Sequence, residues 1–335
     1  MFSIVIPLYN KAAYVEKAIK SVLAQTYQEF ELIVVNDGST DGSLDNVQVI
    51  ILDYVKRQSR ARNLELKEPD QFKKITLIHQ ENQGVSVARN NGVKAAKYDY
   101  IAFLDADDWW DTTYLEEMKG LMEAFPEAGL YAGSYYKVKQ GQLIPANIGI
   151  ESGFEKGLIN YCRVYANTMY QPVWTGAAII KKTIFESENG FKPMLKLGED
   201  FDLWLRVAMK YPVALLNKPL TYYNQDVDLA NRAIGEKLYE PEQHMLFSDY
   251  SAYRLDPDFV HLYEVLAVYS LMNYYLNKKN KKEVDAILQT IHWKNHSFKY
   301  RIYYRILPVW VVKCWLSILK SGFTVKKNLL AFIKK

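Results

Sequence analysis

Two short apolar runs in this chain each end in an acidic turn, and the acidic residues Asp37 and Asp105 lie 68 positions apart. The first run is Leu32-Ile33-Val34-Val35, followed by Asn36-Asp37-Gly38-Ser39. The second is Tyr100-Ile101-Ala102-Phe103-Leu104, followed by Asp105-Ala106-Asp107-Asp108. Four or five consecutive apolar residues read as a buried strand, and the turn residues after them end it. In open α/β sheets ligands bind beyond the carboxyl ends of the strands. Asp37, Asp105 and Asp107 are therefore expected to converge on one crevice. Carboxylates grouped there repel one another unless a cation or a ligand hydroxyl satisfies them.

The rest of the first 110 residues alternates strand and helix signals. Ser3–Ile6 reads as a strand, and Tyr14–Leu23 places apolar residues at a helical period. Glu31–Val35 is the second strand, a helix begins after Asp45, and Ile75–Ile78 is the third strand. A helix over Val85–Ala96 carries Arg89, and Tyr100–Leu104 is the fourth strand. This βαβ order predicts a mostly parallel sheet with right-handed crossovers. The charged stretch Lys56–Lys74 lengthens one crossover and reads as a surface extension. Further on, the pattern predicts a helix over Thr113–Ala124 and strands over Gly129–Ser134, Tyr135–Val138 and Ala177–Ile180. It also predicts a helix from Glu199 to Met209 and a strand over Leu215–Tyr223 with Pro219 as an edge or bend. Residues 145–175 read as irregular, and the pattern is helical from about Gly235 onward.

Composition narrows the class. Hydrophobic residues make up 49% and charged residues 24% of the chain, which suits a folded globular protein rather than a disordered one. The two cysteines, Cys162 and Cys314, have no metal-ligand spacing and suggest no disulfide framework. Met1-Phe2-Ser3-Ile4 has no basic leader, so the expectation is a cytoplasmic location. Charge is unevenly spread. Residues 278–335 hold 14 Lys or Arg against two acids, and the rest of the chain holds 28 against 36. An acidic body suits a metal-dependent site, and a basic tail suits phosphate.

Four ordered segments carry a resemblance. They are Ser3-Ile4-Val5-Ile6-Pro7-Leu8-Tyr9-Asn10, Val35-Asn36-Asp37-Gly38-Ser39-Thr40-Asp41-Gly42-Ser43, Asn82-Gln83-Gly84-Val85-Ser86-Val87-Ala88-Arg89-Asn90 and Phe103-Leu104-Asp105-Ala106-Asp107-Asp108. In order and spacing they resemble the family 2 glycosyltransferases of GT-A fold, over about residues 1–225. The resemblance implies a Rossmann-like α/β domain, a mostly parallel sheet flanked by helices, with a C-terminal α-helical extension. It divides the chain into a GT-A domain at 1–230 and a helical, basic region at 231–335. The nucleotide-binding half covers about 1–110 and the acceptor half about 111–230.

The activity so implied is inverting transfer of a sugar from a nucleotide-diphosphate donor, UDP-linked by expectation, to a hydroxyl of a glycan or lipid-linked acceptor in cell-surface polysaccharide synthesis. The transferred unit would be a hexose or an N-acetylhexosamine. The cofactor would be Mg²⁺ or Mn²⁺, which offsets the charge developing on the leaving diphosphate. Asp105-Ala106-Asp107 resembles the family's DXD motif: Asp107 would ligate the metal, and Asp105 would face the ribose or a metal-bound water. Asp37 would hydrogen-bond the base, Pro7, Tyr9 and Asn10 would line its pocket, and Arg89 would meet the nucleotide or diphosphate, or brace Asp105. Gly198-Glu199-Asp200 resembles the family's acidic pair at a helix start, with Asp200 as general base and Glu199 beside it. Thr175 and Gly176 fall in the segment that passes near donor sugar and acceptor.

Plainer readings stand beside these. Asp37-Gly38-Ser39 also fits a simple turn, Asp108 and Asp111 fit helix caps, and Arg89 fits a helix surface. Two departures from the family stand out. No His follows in Leu220–Asp226 to complete a metal site, and the polymerase pattern Gln/Arg-x-x-Arg-Trp is absent, which favours single additions.

The tail admits three readings. Phe259–Leu276 reads as a core helix rather than a membrane span. Lys313, Ser317, Lys320, Thr324 and Lys327 share one helical face, opposite Trp310, Trp315, Leu316, Leu319, Phe323 and Leu330. Such a helix suits an anionic membrane surface at the inner face of the membrane; packing on the body and an oligomer contact are the alternatives. No nucleic-acid module is recognisable. A dinucleotide dehydrogenase would need G-x-G-x-x-G after the first strand, which is missing. A sugar nucleotidyltransferase and a non-catalytic nucleotide-sugar binder remain as rival functions.

Overall fold

The central strands form where the sequence is apolar without interruption, because both faces of a parallel sheet are covered by helices. The computed structural model describes residues 1–61, 74–227 and 238–318. Its strands are β1 (Phe2–Leu8), β2 (Phe30–Asp37), β3 (Ile75–Gln80), β4 (Tyr100–Phe103), β5 (Trp109–Trp110), β6 (Leu130–Lys139), β7 (Gln142–Pro145), β8 (Lys156–Ile159), β9 (Ala178–Lys181) and β10 (Val213–Asn224). The helices of the same region are α1 (Val15–Leu23), α2 (Ser43–Ala61), α3 (Val85–Ala95), α4 (Tyr114–Ala124), α5 (Tyr161–Thr168), α6 (Lys182–Ser187) and α7 (Glu199–Ala208).

The strands make one sheet in the order β3-β2-β1-β4-β9-β6-β10-β5, with β7 beside β6 and β8 beside β10. The β3-β2-β1-β4 half is parallel, and β9 enters antiparallel between β4 and β6. All eight residues of β2 are buried. Helix α3 lies against β1 and β2 so closely that a Cβ on Gly92 would stand 2.4 Å from Val5 Cγ1. Pro7 is tolerated in a central strand because β4 pairs with β1 only as far as Val5, so the missing N–H breaks no ladder bond there.

Predicted and observed elements differ in a few places. The two strands expected over 129–138 are one continuous strand, β6. Pro219 does mark a bend: the β10–β6 register shifts between Leu216 and Thr221. The segment expected to be irregular contains β8, which pairs with the edge of β10, and α5, capped by the Asn160 side chain at 2.9 Å from Arg163 N. Much of the charged stretch Lys56–Lys74 lies outside the described residues, as do the expected boundary at 230/231 and the tail positions Leu319, Lys320, Phe323, Thr324, Lys327 and Leu330.

Backbone contacts divide the chain into two compact units, Met1–Gly235 with Glu242–Met245, and Glu236–Pro241 with Leu246–Lys335. Glu242–Met245 joins the first unit through Gln243, whose carbonyl accepts from Lys196 and Leu197 N–H, and through Met245 N–H, which donates to Leu197. In the second unit the described helices are α8 (Pro257–Ser270), α9 (Met272–Asn277), α10 (Lys281–Thr290) and α11 (Phe298–Arg305), and residues 309–318 are also helical. The single helix expected over Phe259–Leu276 is thus two, parted at Leu271. No helix among the described residues is long and apolar enough to cross a membrane.

Candidate active site

The loops after β1 and β2 are stitched together by side chains. Asn10 N–H donates to Ser39 Oγ at 3.1 Å, and Asn10 Oδ1 accepts from Thr40 N–H at 2.8 Å. Tyr9 beside it is about half exposed. Asp37, at the end of β2, is buried. Its Oδ1 accepts from Gln80 Nε2 at 2.7 Å and Gln83 N–H at 2.9 Å, and its Oδ2 accepts from Gly84 N–H at 2.9 Å. It thus braces the turn that starts α3. A carboxylate has about four acceptor positions, and this leaves one for a ligand.

Helix α3 turns Arg89 under the end of β4. The guanidinium is buried and forked: Nη2 donates to Asp105 Oδ1 at 2.7 Å and Nη1 to Glu199 Oε1 at 3.1 Å. Burial opposes its charge, but Asp105 and then Glu199 outweigh burial, so the group is held above its ordinary range. Arg89 Nε is buried without a hydrogen-bond partner. Arg89 is thus buried rather than on a helix surface, and of the two functional readings, contact with the nucleotide or diphosphate and bracing of Asp105, the structure shows the contact with Asp105.

Asp107 pairs with Lys11, Nζ to Oδ2 at 2.7 Å. Burial raises its pKa, Lys11 lowers it, and Asp105 raises it further, for a net upward shift. Asp108 is buried and accepts from Asn224 N–H at 2.7 Å, so it secures β10 rather than capping a helix. Burial, Asp107 and Asp105 push its carboxyl well above the usual range. Asp111 does not cap α4 either: the cap position is Thr113, whose N–H donates to Asp111 Oδ1 at 2.9 Å in the preceding turn.

Glu199 and Asp200 open α7, where acids suit the helix dipole. Neighbouring helix residues point about 100° apart, and the two carboxylates have different partners. Glu199 is tied to Arg89, and burial with Asp200 nearby keeps its pKa raised. Asp200 Oδ2 accepts from Thr175 Oγ1 at 3.3 Å and Oδ1 from Phe201 N–H at 2.7 Å. The close approach that Gly176 permits is to Trp174, since a Cβ there would meet the indole at 2.6 Å. Its carbonyl also accepts from Trp110 Nε1 at 2.7 Å. Around Asp200 stands an aromatic wall that sequence patterning did not reveal: Tyr135–Trp174 and Trp174–Tyr223 ring centroids are 5.1 and 5.0 Å apart. Burial and then the Asp200 charge raise the pKa of Tyr165; burial, then the neighbouring tyrosines and last Asp200, raise that of Tyr135.

Among the described residues, Asp105, Asp107, Asp108, Glu199 and Asp200 outnumber the cations paired with them, Arg89 and Lys11. That excess fits a divalent cation, and the ammonium on Asp107 already stands where positive charge is favoured. Among the described residues no three His, Cys, Asp or Glu side chains gather into a cage. Mg²⁺ or Mn²⁺ is usually held by one or two carboxylates together with phosphate oxygens and water, and Asp105 and Asp107 are the carboxylates that could hold it here. His244, beyond the expected Leu220–Asp226 stretch, is buried in the segment docked beside Leu197, and burial lowers its pKa to about 4.

A half-parallel sheet with acidic turns past β2 and β4, faced by the acidic start of α7, defines a GT-A domain. The chain belongs to glycosyl transferase family 2, whose description matches residues 3–171. An uncharacterised glycosyltransferase of Rickettsia felis is 30% identical over 220 residues, covering 65% of this chain and 32% of the relative. The chain spans about a third of the length of the first curated relatives it matches. In fold it resembles S. aureus TarS in complex with UDP-GlcNAc, with TM-score 0.63, 17% identity, and coverage of 86% and 79% of the two chains. It also resembles the mannosyltransferase PcManGT of Pyrobaculum calidifontis in complex with GDP-Man and Mn²⁺, with TM-score 0.54, 18% identity, and coverage of 97% and 79%.

Proposed function

We propose that the chain is an inverting glycosyltransferase that moves a hexosyl or N-acetylhexosaminyl unit from a UDP-sugar to a hydroxyl of a glycan or lipid-linked acceptor in cell-surface polysaccharide synthesis. The observation that carries this is the Arg89 fork, which sets the Asp105–Asp107 turn against the Glu199–Asp200 helix start. In this reading Asp107, with Asp105 beside it, holds Mg²⁺ or Mn²⁺, which when bound offsets the negative charge of the leaving diphosphate. Pro7, Tyr9, Asn10 and Asp37 serve the nucleoside. Asp200 takes the acceptor proton as the acceptor oxygen bonds to the anomeric carbon and the bond from that carbon to the diphosphate breaks, which inverts the centre. Glu199, held by Arg89, fixes the start of α7 and leaves Asp200 as the base. Thr175 orients Asp200, and the Tyr135–Trp174–Tyr223 wall borders the acceptor.

Support for a nucleotide-sugar donor comes from family membership and from the two fold neighbours, solved with UDP-GlcNAc and with GDP-Man and Mn²⁺. The test is a thermal-shift screen of nucleotides and nucleotide-sugars with Mn²⁺. Stabilisation by UDP and one UDP-sugar is expected; a preference for GDP overturns the base assignment.

The basic tail is proposed to rest on an anionic membrane surface. Exposed Ile306, Trp310, Trp315 and Ile318 in its described part support this, as does its charge. Sedimentation with anionic but not zwitterionic vesicles, lost in Trp310→Ser/Trp315→Ser, is the expected result.

A further inference from the structure

Lys11 has no place in the donor reading above, yet its backbone is anchored with care. Its N–H donates to Ser43 Oγ at 2.8 Å, and the next N–H, of Ala12, donates to Asp41 Oδ2 at 3.0 Å. The side chain crosses from the end of β1 to the turn after β4, where the ammonium meets Asp107 Oδ2 at 2.7 Å. Both partners are mostly shielded from water, at 15% and 19% side-chain exposure.

We propose that Lys11 is an internal counter-ion that occupies Asp107 in the free protein, yields it to a divalent cation more readily when a diphosphate arrives, and then turns its ammonium to that diphosphate. The inference rests on the reading of Asp107 as the metal ligand. The argument is electrostatic. In the free protein the ammonium relieves the repulsion among Asp105, Asp107 and Asp108, which lie within one turn. A divalent ion that takes Asp107 strands the ammonium next to a second cation. Alone, then, the ion binds against a resident competitor. With a diphosphate present the displaced ammonium gains a new anion, and both ligands bind better together than apart. Lysine suits this exchange because its charge sits on a flexible four-carbon stem with three rotatable donors, whereas the anchored backbone keeps its range short. Such coupling is reciprocal: whatever factor the diphosphate contributes to metal affinity, the metal contributes to diphosphate affinity.

The experiment measures Mn²⁺ affinity of the full chain by electron paramagnetic resonance, alone and with saturating UDP or GDP, for wild type, Lys11→Met, Lys11→Arg and Lys17→Met. Lys17 is a nearby cation whose ammonium lies over the Trp109 ring, 2.9 Å from its centroid, rather than on a carboxylate. In Lys11→Met the affinity for Mn²⁺ alone should rise about tenfold, and the nucleotide's enhancement should shrink by about the same factor. Lys11→Arg, which keeps the charge, should retain weak binding of the ion alone, and Lys17→Met should leave both quantities within about twofold of wild type. Unchanged Mn²⁺ affinity in Lys11→Met overturns the proposal, as does an equal rise in Lys17→Met or Lys11→Arg. A wild-type chain that binds no Mn²⁺ with either nucleotide overturns the metal-ligand reading itself, and the counter-ion role with it.

Discussion

Arg89 donates to Glu199 across 110 residues of sequence, Nη1 to Oε1 at 3.1 Å. Its other terminal nitrogen holds Asp105, so one buried side chain ties the turn after β4 to the start of α7. A lysine reaches only one of the two carboxylates, because it lacks the planar fork. Arg89→Lys should lower kcat/KM about 10–100-fold through misplacement of α7. Steady-state nucleotide release at varied donor concentration measures it.

Helix α3 carries Arg89 and rests on β1 through Gly92. The built Cβ at 2.4 Å from Val5 Cγ1 is also 3.3 Å from Val35 Cγ2. Gly92→Ala should destabilise the domain by about 1–3 kcal/mol, the usual cost of overpacking a filled core. Urea unfolding would show a lower midpoint with an unchanged slope.

Asp37 accepts two hydrogen bonds from the turn that begins α3 and one from Gln80 at the end of β3. An amide in its place presents a donor to Gly84 N–H or Gln83 N–H. Asp37→Asn should therefore cost about 1–3 kcal/mol of stability even without nucleotide, the cost of a buried donor left unmet. A melting temperature unchanged in the apo protein would show that Asp37 serves only the ligand.

Where side-chain chemistry follows a strong backbone pattern, the sequence was readable. β1, β2 and β4 are apolar runs, α1 has a helical period, and acidic turns follow β2 and β4. What lay hidden depends on distant pairing. Lys11 follows Asn10 with no local signal, and its partner is 96 residues away. The aromatic wall needs β6, β10 and the Trp174 turn to be brought together. β5 is two residues long and exists only by pairing with β10. β8 has an exposed pattern without an apolar run, and α5 is short, so neither stood out inside 145–175. The return of Glu242–Met245 to the first unit rests on backbone bonds, which residue types do not encode.

His244 ties stability to pH. Burial lowers its pKa from 6.5 to about 4. Above pH 6.5 the ring is neutral folded and unfolded, and its contribution is complete. As pH falls from 6.5 toward 4 the unfolded chain takes up a proton that the folded chain refuses, so stability is lost. The loss between pH 7 and pH 5 should be about 2 kcal/mol. His244→Gln should remove that share of the slope in denaturation measured at both pH values.

The central claim is that Asp200 takes the acceptor proton while the Asp105–Asp107 turn binds the donor. The direct measurement pairs donor turnover with calorimetric nucleotide binding in Asp200→Asn, with Mn²⁺ present. The account predicts turnover lower by about 10²–10⁴-fold, with UDP affinity within about threefold of wild type. Turnover close to wild type in Asp200→Asn would contradict it.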